Sequence, residues 1–332
     1  MQATVVIPTF NAWPLLAEAL EHLAAQTLDH EVIVVDNGSA DGTVEAITER
    51  FPKVRVVALD ENLGFGRAVN RGVRQVSTDV VVLVNNDVVC PPEFLAELLA
   101  PFADEHVDMV AGVLLQHDRP DLIDSAGIEL DATLRSWDML WNRTVDELAT
   151  SGEPVGPCGG AAAYRTDVFR AVGGFDEAFF AYWEDVDLAL RLRLAGHTCV
   201  RASSARALHK HGQTVGAASP RQRRLEAFGR GFVLARYRVA RRSPLTRAAV
   251  ALLDWPVLLV HLVVRREAGP IRERRRGTHA GLARPPLRAP FELATVPVRT
   301  AFRRQLDLLR LRATGDLPTH FADHTGRAST HH

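Results

Sequence analysis

A short acidic run, Trp183-Glu184-Asp185-Val186-Asp187, lies nearly a hundred residues after a second carboxylate. That earlier group is Asp87, which closes Asn85-Asn86-Asp87 at the end of a very apolar segment. A carboxylate just past a buried strand suits a hard divalent cation such as Mg²⁺ or Mn²⁺. A later carboxylate cluster can supply a base. Together they point to an enzyme that transfers a group away from a metal-bound phosphate. Farther on, Leu208-His209-Lys210-His211-Gly212 carries two imidazoles. Either can complete the shell, which would favour Mn²⁺ over Mg²⁺, although a lone histidine is as ordinary on a surface or in a core.

The elements that must position these groups read as an α/β domain. Residues 3–8 form an apolar run ended by Pro8, and Pro14 suits the first turn of a helix with the stripe Leu15, Leu16, Ala19, Leu20 and Leu23. Val32 to Val35, Val54 to Leu59 and Val80 to Val84 repeat the short apolar run, with helical stretches between them. Strands apolar on both faces that alternate with helices predict a mostly parallel central sheet. Residues 109–115 can add a strand, and 116–157, rich in turns, read as a long insertion or active-site loop. Residues 184–195 alternate like a strand, but their Leu, Ala and Arg content and the Gly196 stop predict a helix.

Composition divides the chain in two. Apolar residues make up 47% and charged residues 24%, as in a globular protein. Residues 1–199 carry 13 Lys and Arg against 32 Asp and Glu, whereas residues 200–332 carry 26 against 8. The first part reads as a soluble acidic domain and the second as a surface drawn to anions. The boundaries predicted are 1–215 for a catalytic domain and 216–332 for a helical, Arg-rich region. Cys90, Cys158 and Cys199 are far apart and lack metal-ligand spacing, which favours a reducing compartment. No basic stretch followed by a long apolar run opens the chain, so no secretory signal is expected.

Within the basic region, Ala248 to Val264 is almost wholly apolar, though broken by Asp254, Pro256 and His261. It is short for a bilayer span, which needs roughly 20 apolar residues. With arginines on both sides, an interfacial or re-entrant element on anionic lipid is predicted, against a helical subdomain packed on the enzyme. Nucleic acid is not an expected partner, since no interleaved aromatics or binding motif appear.

Ligands of open α/β sheets bind beyond the C-terminal ends of the strands. Three polar groups stand there: Thr9 to Asn11, Asp36 to Ser39, and Asn85 to Asp87. Asp36 can accept from the N3–H of uracil or thymine, or can simply form a turn. In Asn62-Leu63-Gly64-Phe65-Gly66-Arg67, glycine permits close backbone approach and Arg67 can meet a phosphate. The third glycine of a dinucleotide fingerprint is missing, which argues against NAD. Gly159-Gly160 would let an acceptor sugar approach the backbone, and Trp183 offers a stacking face or a core packing group. Asp187 and Arg191 are spaced for a structural i,i+4 pair.

The ordered set Val5-Val6-Ile7-Pro8-Thr9-Phe10-Asn11, Val35-Asp36-Asn37-Gly38-Ser39, Asn62-Leu63-Gly64-Phe65, Asn85-Asn86-Asp87, Gly159-Gly160-Ala161 and Trp183-Glu184-Asp185 resembles family 2 glycosyltransferases, and most nearly their bacterial rhamnosyltransferase branch. Ser125-Ala126-Gly127-Ile128 and the His209 segment also have counterparts there, so the similarity covers roughly residues 3–215. The resemblance implies a GT-A-type nucleotide-sugar-binding fold and an inverting transfer from a nucleotide-diphospho-sugar, dTDP-rhamnose or a UDP-sugar. It implies Mn²⁺ or Mg²⁺ on Asp87 and His209, Asp185 as base and Glu184 orienting the acceptor. The donor would lie on Pro8, Thr9, Asn11, Asp36, Asn62, Arg67, Asn85 and Asn86, and the acceptor on Gly159, Gly160 and Trp183. Asn85 departs from the family's DxD pattern, which places it toward ribose rather than metal. The implied acceptor is a saccharide or lipid-linked saccharide in cell-wall or surface-polysaccharide assembly, reached by a cytoplasmic enzyme peripheral on the inner face of the membrane. The rivals are a sugar-phosphate nucleotidyltransferase and a non-catalytic nucleotide- or glycan-binding protein on the same fold.

Overall fold

The computed structural model describes residues 1–210, 219–288 and 291–314, so His211 lies outside the described residues. The chain forms two compact units. The first comprises Met1–Glu129 and Ser136–Gln222, and the second Leu130–Arg135 and Arg223–His332.

The first unit opens with β1 (Ala3–Thr9), α1 (Trp13–Ala24), β2 (Glu31–Asp36), α2 (Thr43–Arg50), β3 (Arg55–Ala58), α3 (Phe65–Val73), β4 (Val80–Val84) and β5 (Val88–Val89). It continues with α4 (Phe94–Leu99), β6 (Met109–Gln116), β7 (Arg119–Ser125), β8 (Ile128–Leu130), β9 (Ser136–Asp138), β10 (Ala161–Arg165), α5 (Thr166–Ala171), α6 (Glu184–Leu194) and β11 (Cys199–His209). The main sheet has the order β3-β2-β1-β4-β10-β6-β11-β5, with β7 paired to β6. Strands β1 to β4, β6 and β11 share one direction, and β5, β7 and β10 run against them.

The continuous apolar strands have a direct cause. In β4, Val80, Val82 and Val84 pack with Leu16, Leu20, Phe94 and Leu98 on one side. Val81 and Leu83 pack with Ala68, Val69, Phe169, Leu188 and Leu192 on the other. With both faces covered, a polar residue on either would lose water without compensation.

The segment 116–157 is not the loop the sequence suggested. It holds β7, β8, β9 and a short helical turn, and Ile123, Ala126, Met139 and Leu148 pack with Val113 in their own apolar cluster.

The second unit is helical. Residues 223–236 continue α7 (Pro220–Arg236), followed by α8 (Pro244–Leu259), α9 (Gly269–Leu282) and α10 (Val298–Thr314). Helix α8 begins earlier than its apolar run because Ser243 caps it, the Oγ accepting from the Thr246 N–H at 3.0 Å, and Pro244 occupies the first turn. A π-turn extends it to Val264, so Pro244–Val264 is 21 residues, long and apolar enough to cross a membrane by length and composition.

Asp254 faces the interior of this unit and is 3% exposed. Arg135, Arg274 and Arg230 approach it at 2.5, 2.6 and 3.1 Å. Burial alone would raise the Asp254 carboxyl, but the three guanidiniums hold it well below the usual carboxylate range. Helices α7 and α9 meet backbone to backbone, since a Cβ on Gly277 would stand 1.9 Å from the Phe228 carbonyl oxygen.

Candidate active site

The site is built where the parallel strands end. Thr9 and Asp36 are register partners across β1 and β2, so the two chains leave the sheet at one level. Pro8, opposite Val35, lies one residue inside. Asp36 is 2% exposed; its Oδ2 accepts from the Ser39 N–H at 3.0 Å, and its Oδ1 is buried with no hydrogen-bond partner. An unsatisfied buried acceptor is costly unless a ligand donates to it. At the next position out, the Asn11 N–H donates to Ser39 Oγ at 2.8 Å, and Asn11 Oδ1 accepts from the Ala40 N–H at 2.8 Å. Asn86 Nδ2 donates to Thr9 Oγ1 at 3.0 Å, which ties the end of β4 to the end of β1.

A loop covers this edge. Asn37 Oδ1 accepts from the Leu63 N–H at 2.9 Å, Asn37 Nδ2 donates to the Gly64 carbonyl at 3.2 Å, and Asn62 Oδ1 accepts from the Gly64 N–H at 3.0 Å. The Phe65 N–H then donates to the Phe180 carbonyl at 2.7 Å. Gly64 sits at φ +88°, where a Cβ would stand 2.2 Å from that same Phe180 oxygen. Gly64→Ala should therefore cost at least about 2 kcal/mol, from the left-handed backbone and the lost approach together. A urea midpoint equal to that of the unaltered protein would disprove the constraint. Arg67, assigned to phosphate by the sequence, is exposed and donates from Nε to the Glu177 carbonyl at 2.8 Å.

Asp87 and His209 do meet. Strand β5 pairs with β11, and the Lys210 N–H donates to the Asp87 carbonyl at 3.0 Å, so the ladder brings the two side chains together. His209 Nε2 lies 3.3 Å from Asp87 Oδ1, while His209 Nδ1 is 2.6 Å from Asp124 Oδ2. Burial works to lower the imidazole, but the hydrogen bond to Asp124 and then the charge of the nearby Asp87 carboxylate outweigh it and raise the histidine to about 10. Asp87 Oδ1 is buried without a hydrogen-bond partner. A carboxylate oxygen beside an imidazole nitrogen whose other nitrogen is fixed by a second carboxylate is a donor set that fits a divalent cation. Nε2 would give up its proton to hold one. No group of three or more metal-ligating side chains gathers among the described residues.

Glu184 and Asp185 open α6. The two residues before the helix, Tyr182 and Trp183, both have left-handed backbones, φ 67° and 77°. Such strain is held in place by surrounding structure and concentrates at functional sites. Asp185 Oδ1 accepts from the Val186 N–H at 2.8 Å and Oδ2 from the Gly159 N–H at 3.3 Å. Burial raises the Asp185 carboxyl, and these two donors oppose the rise. Glu184 is pushed well above the usual range by burial and then by Asp185, and its Oε2 is buried without a hydrogen-bond partner. Both carboxyls are pushed toward the protonated form, Glu184 the more strongly. Asp187 takes the structural role expected, with its Oδ2 2.8 Å from Arg191 Nε.

One run of contacts connects the carboxylates. Asp185 is bonded to Gly159; Gly160 accepts from the Asn85 N–H at 3.3 Å; Asn85 precedes Asp87 by two residues. Ala161 is the register partner of Val84, so β10 enters the sheet where β4 leaves it. Asp124 was not singled out in the sequence, and Asn37 was quoted beside Asp36 without a role of its own. Asp124 directly precedes the Ser125-Ala126-Gly127 segment, and Asn37 follows Asp36; position beside a motif was the available signal for each.

A family profile described as "Glycosyl transferase family 2" matches residues 4–173. The chain is 31% identical over 239 residues to the N-acetylglucosaminyl-diphospho-decaprenol L-rhamnosyltransferase of two Mycobacterium tuberculosis strains, a match that covers 64% of this chain and 77% of that protein. Among solved structures, the mannosyltransferase PcManGT of Pyrobaculum calidifontis in complex with GDP-Man and Mn²⁺ is similar with TM-score 0.56 and 19% identity, over 98% of this chain and 83% of that one. GalNAc-T7 with UDP, GalNAc and Mn²⁺ is similar with TM-score 0.57 and 15% identity, over 75% of this chain and 51% of that one. At such identities the likeness is one of fold, the GT-A-type α/β arrangement.

Proposed function

We propose, because the chain belongs to glycosyl transferase family 2 and is a glycosyltransferase, that it moves rhamnose from dTDP-rhamnose to a lipid-linked saccharide with inversion at the anomeric carbon. The observation that carries this reading is the run of contacts from Asp185 through Gly159, Gly160 and Asn85 to Asp87, which joins a base to a candidate metal ligand at one end of the sheet. The rhamnosyl donor and the lipid-linked acceptor rest on the mycobacterial relative, which matches 64% of this chain.

The residues divide the work as follows. Asp36 Oδ1 would accept from the ring N–H of the pyrimidine, and Thr9, Asn11, Asn62, Asn85 and Asn86 would line the nucleotide side. Asp87 and His209 Nε2 would hold Mn²⁺ or Mg²⁺, with Asp124 fixing the imidazole. What the bound cation supplies is neutralisation of the charge that develops on the departing diphosphate. Asp185 takes the proton of the acceptor hydroxyl as its oxygen bonds to the anomeric carbon, while the old C–O electron pair leaves with the diphosphate. Glu184, protonated, would donate to the acceptor and orient it, with Trp183 and Gly159-Gly160 shaping its approach. We assign transfer to residues 1–215 and attachment to the inner face of the cell membrane to residues 216–332.

The test is a panel of nucleotide sugars with Mn²⁺ and a membrane lipid extract, scored by nucleoside diphosphate release. The expected result is turnover of dTDP-rhamnose, or failing that a UDP-sugar, only when lipid is present. Pyrophosphate release from a sugar phosphate and a nucleoside triphosphate would instead mark a nucleotidyltransferase, and binding without turnover of any donor would mark a non-catalytic protein.

A further inference from the structure

Helix α8 and the turn that extends it leave one apolar stripe uncovered. The inward face carries Val257 and Leu258 beside Asp254 and His261, all buried. Its outward face carries Leu245, Ala248, Leu252, Trp255, Leu259 and Leu262, all exposed, at alternating spacings of three and four that form one stripe. Leu252 is 65% and Trp255 59% exposed. Val263 and Val264 widen the stripe at its end, and exposed Arg241, Arg247 and Arg266 lie at its two ends. A contiguous exposed apolar stripe of this kind marks an interaction surface.

The surrounding charge decides what covers it. The acidic side chains of this stretch are Asp254 and Glu267, and both are already paired, Asp254 with three arginines and Glu267 with Arg223. A second copy of the helix would bring arginine against arginine with no acidic partner. An anionic lipid surface meets apolar stripe and arginines at once. Although the helix is long enough to span, a spanning pose would carry Asp254 and its arginines into hydrocarbon, at a high cost. In the plane of the interface they stay within the protein.

We propose that the outward face of Pro244–Val264 lies along an anionic bilayer, with Leu252, Trp255, Leu259 and Leu262 seated among the acyl chains and Arg241, Arg247 and Arg266 on the headgroups. The inference deepens the membrane attachment proposed above by naming the face and its orientation. Its test uses neither donor nor acceptor, so an inactive donor panel leaves it standing.

The full chain is mixed with vesicles of phosphatidylcholine alone or with phosphatidylglycerol, and sedimented. The expected result is binding to the anionic vesicles that weakens with salt. The double variant Leu252→Glu, Trp255→Glu should lose about tenfold or more in partition coefficient, since two large apolar groups no longer enter the lipid. Circular dichroism establishes that this variant is folded. If it is not, brominated-chain lipids give the second measurement: they should quench fluorescence of the unaltered protein more than that of Trp255→Phe. Equal binding by the double variant, no preference for anionic vesicles, or equal quenching in both proteins overturns the proposal. So does a solution dimer that the double variant converts to monomer, which would assign the stripe to a second copy.

Discussion

Asp185→Asn is expected to lower kcat by about 10²–10⁴, the usual value of a positioned general base, with donor affinity unchanged. The asparagine keeps one oxygen to accept from the Val186 or Gly159 N–H, so the first turn of α6 and its tie to the Gly-Gly loop survive. What disappears is the anionic oxygen proposed to take the acceptor proton. In the unaltered enzyme, burial raises the Asp185 carboxyl. A base with a raised carboxyl loses its charge early as pH falls, so the acid limb of the kcat profile should lie above the ordinary carboxylate range. The same limb should vanish in the variant. Transfer at an undiminished rate by Asp185→Asn, measured with saturating donor, would remove Asp185 from the chemistry.

The second large effect is expected at Asp87. Asp87→Ala should lower kcat/KM on the order of 10³, several kcal/mol of charge stabilisation on the departing diphosphate, and should weaken Mn²⁺ binding in a direct titration. The residue's contribution to the β5–β11 ladder is its carbonyl, which accepts from the Lys210 N–H, so the substitution leaves the strands paired. The loss can then be read as that of the carboxylate. If Asp87→Ala matched the unaltered protein in both Mn²⁺ titration and turnover, or if chelators left turnover intact, the metal would have no part in the reaction.

How much of this was legible in the sequence depended on how local each cause was. Strand β4 could be read because both its faces are buried, which leaves an unbroken apolar run. The strand-end groups Thr9, Asp36 and Asn86 could be read because they follow such runs. Helix α6 was chosen over a strand from its composition and Gly196, and Glu184–Leu194 is helical. Strand β10 was harder: Ala161-Ala162-Ala163 is a helix-former's composition, yet between β4 and β6 small side chains are what the packing admits. Strands β8 and β9 were lost because each has 3 residues, and β7 because it is only half apolar-faced and its register on β6 shifts twice. Asp124 was missed for a different reason: its partner His209 lies 85 residues away. Arg67 shows the reverse case: a local motif suggested phosphate, and the contact of its Nε with the Glu177 carbonyl, 110 residues on, could not be read. The early start of α8 was set by a single cap at Ser243, outside the apolar run that drew attention.

Strand β10 runs against β4, so the residues that introduce it, Gly159 and Gly160, arrive at the rim from which Asn85 to Asp87 depart. On the proposed assignment, nucleotide-side and acceptor-side groups come from separate stretches of chain that touch through main-chain atoms. Swapping residues 158–160 and 182–183 for those of another transferase would re-specify the incoming alcohol while the leaving-group half stays as it is. That makes this rim a natural seam for chimaeras.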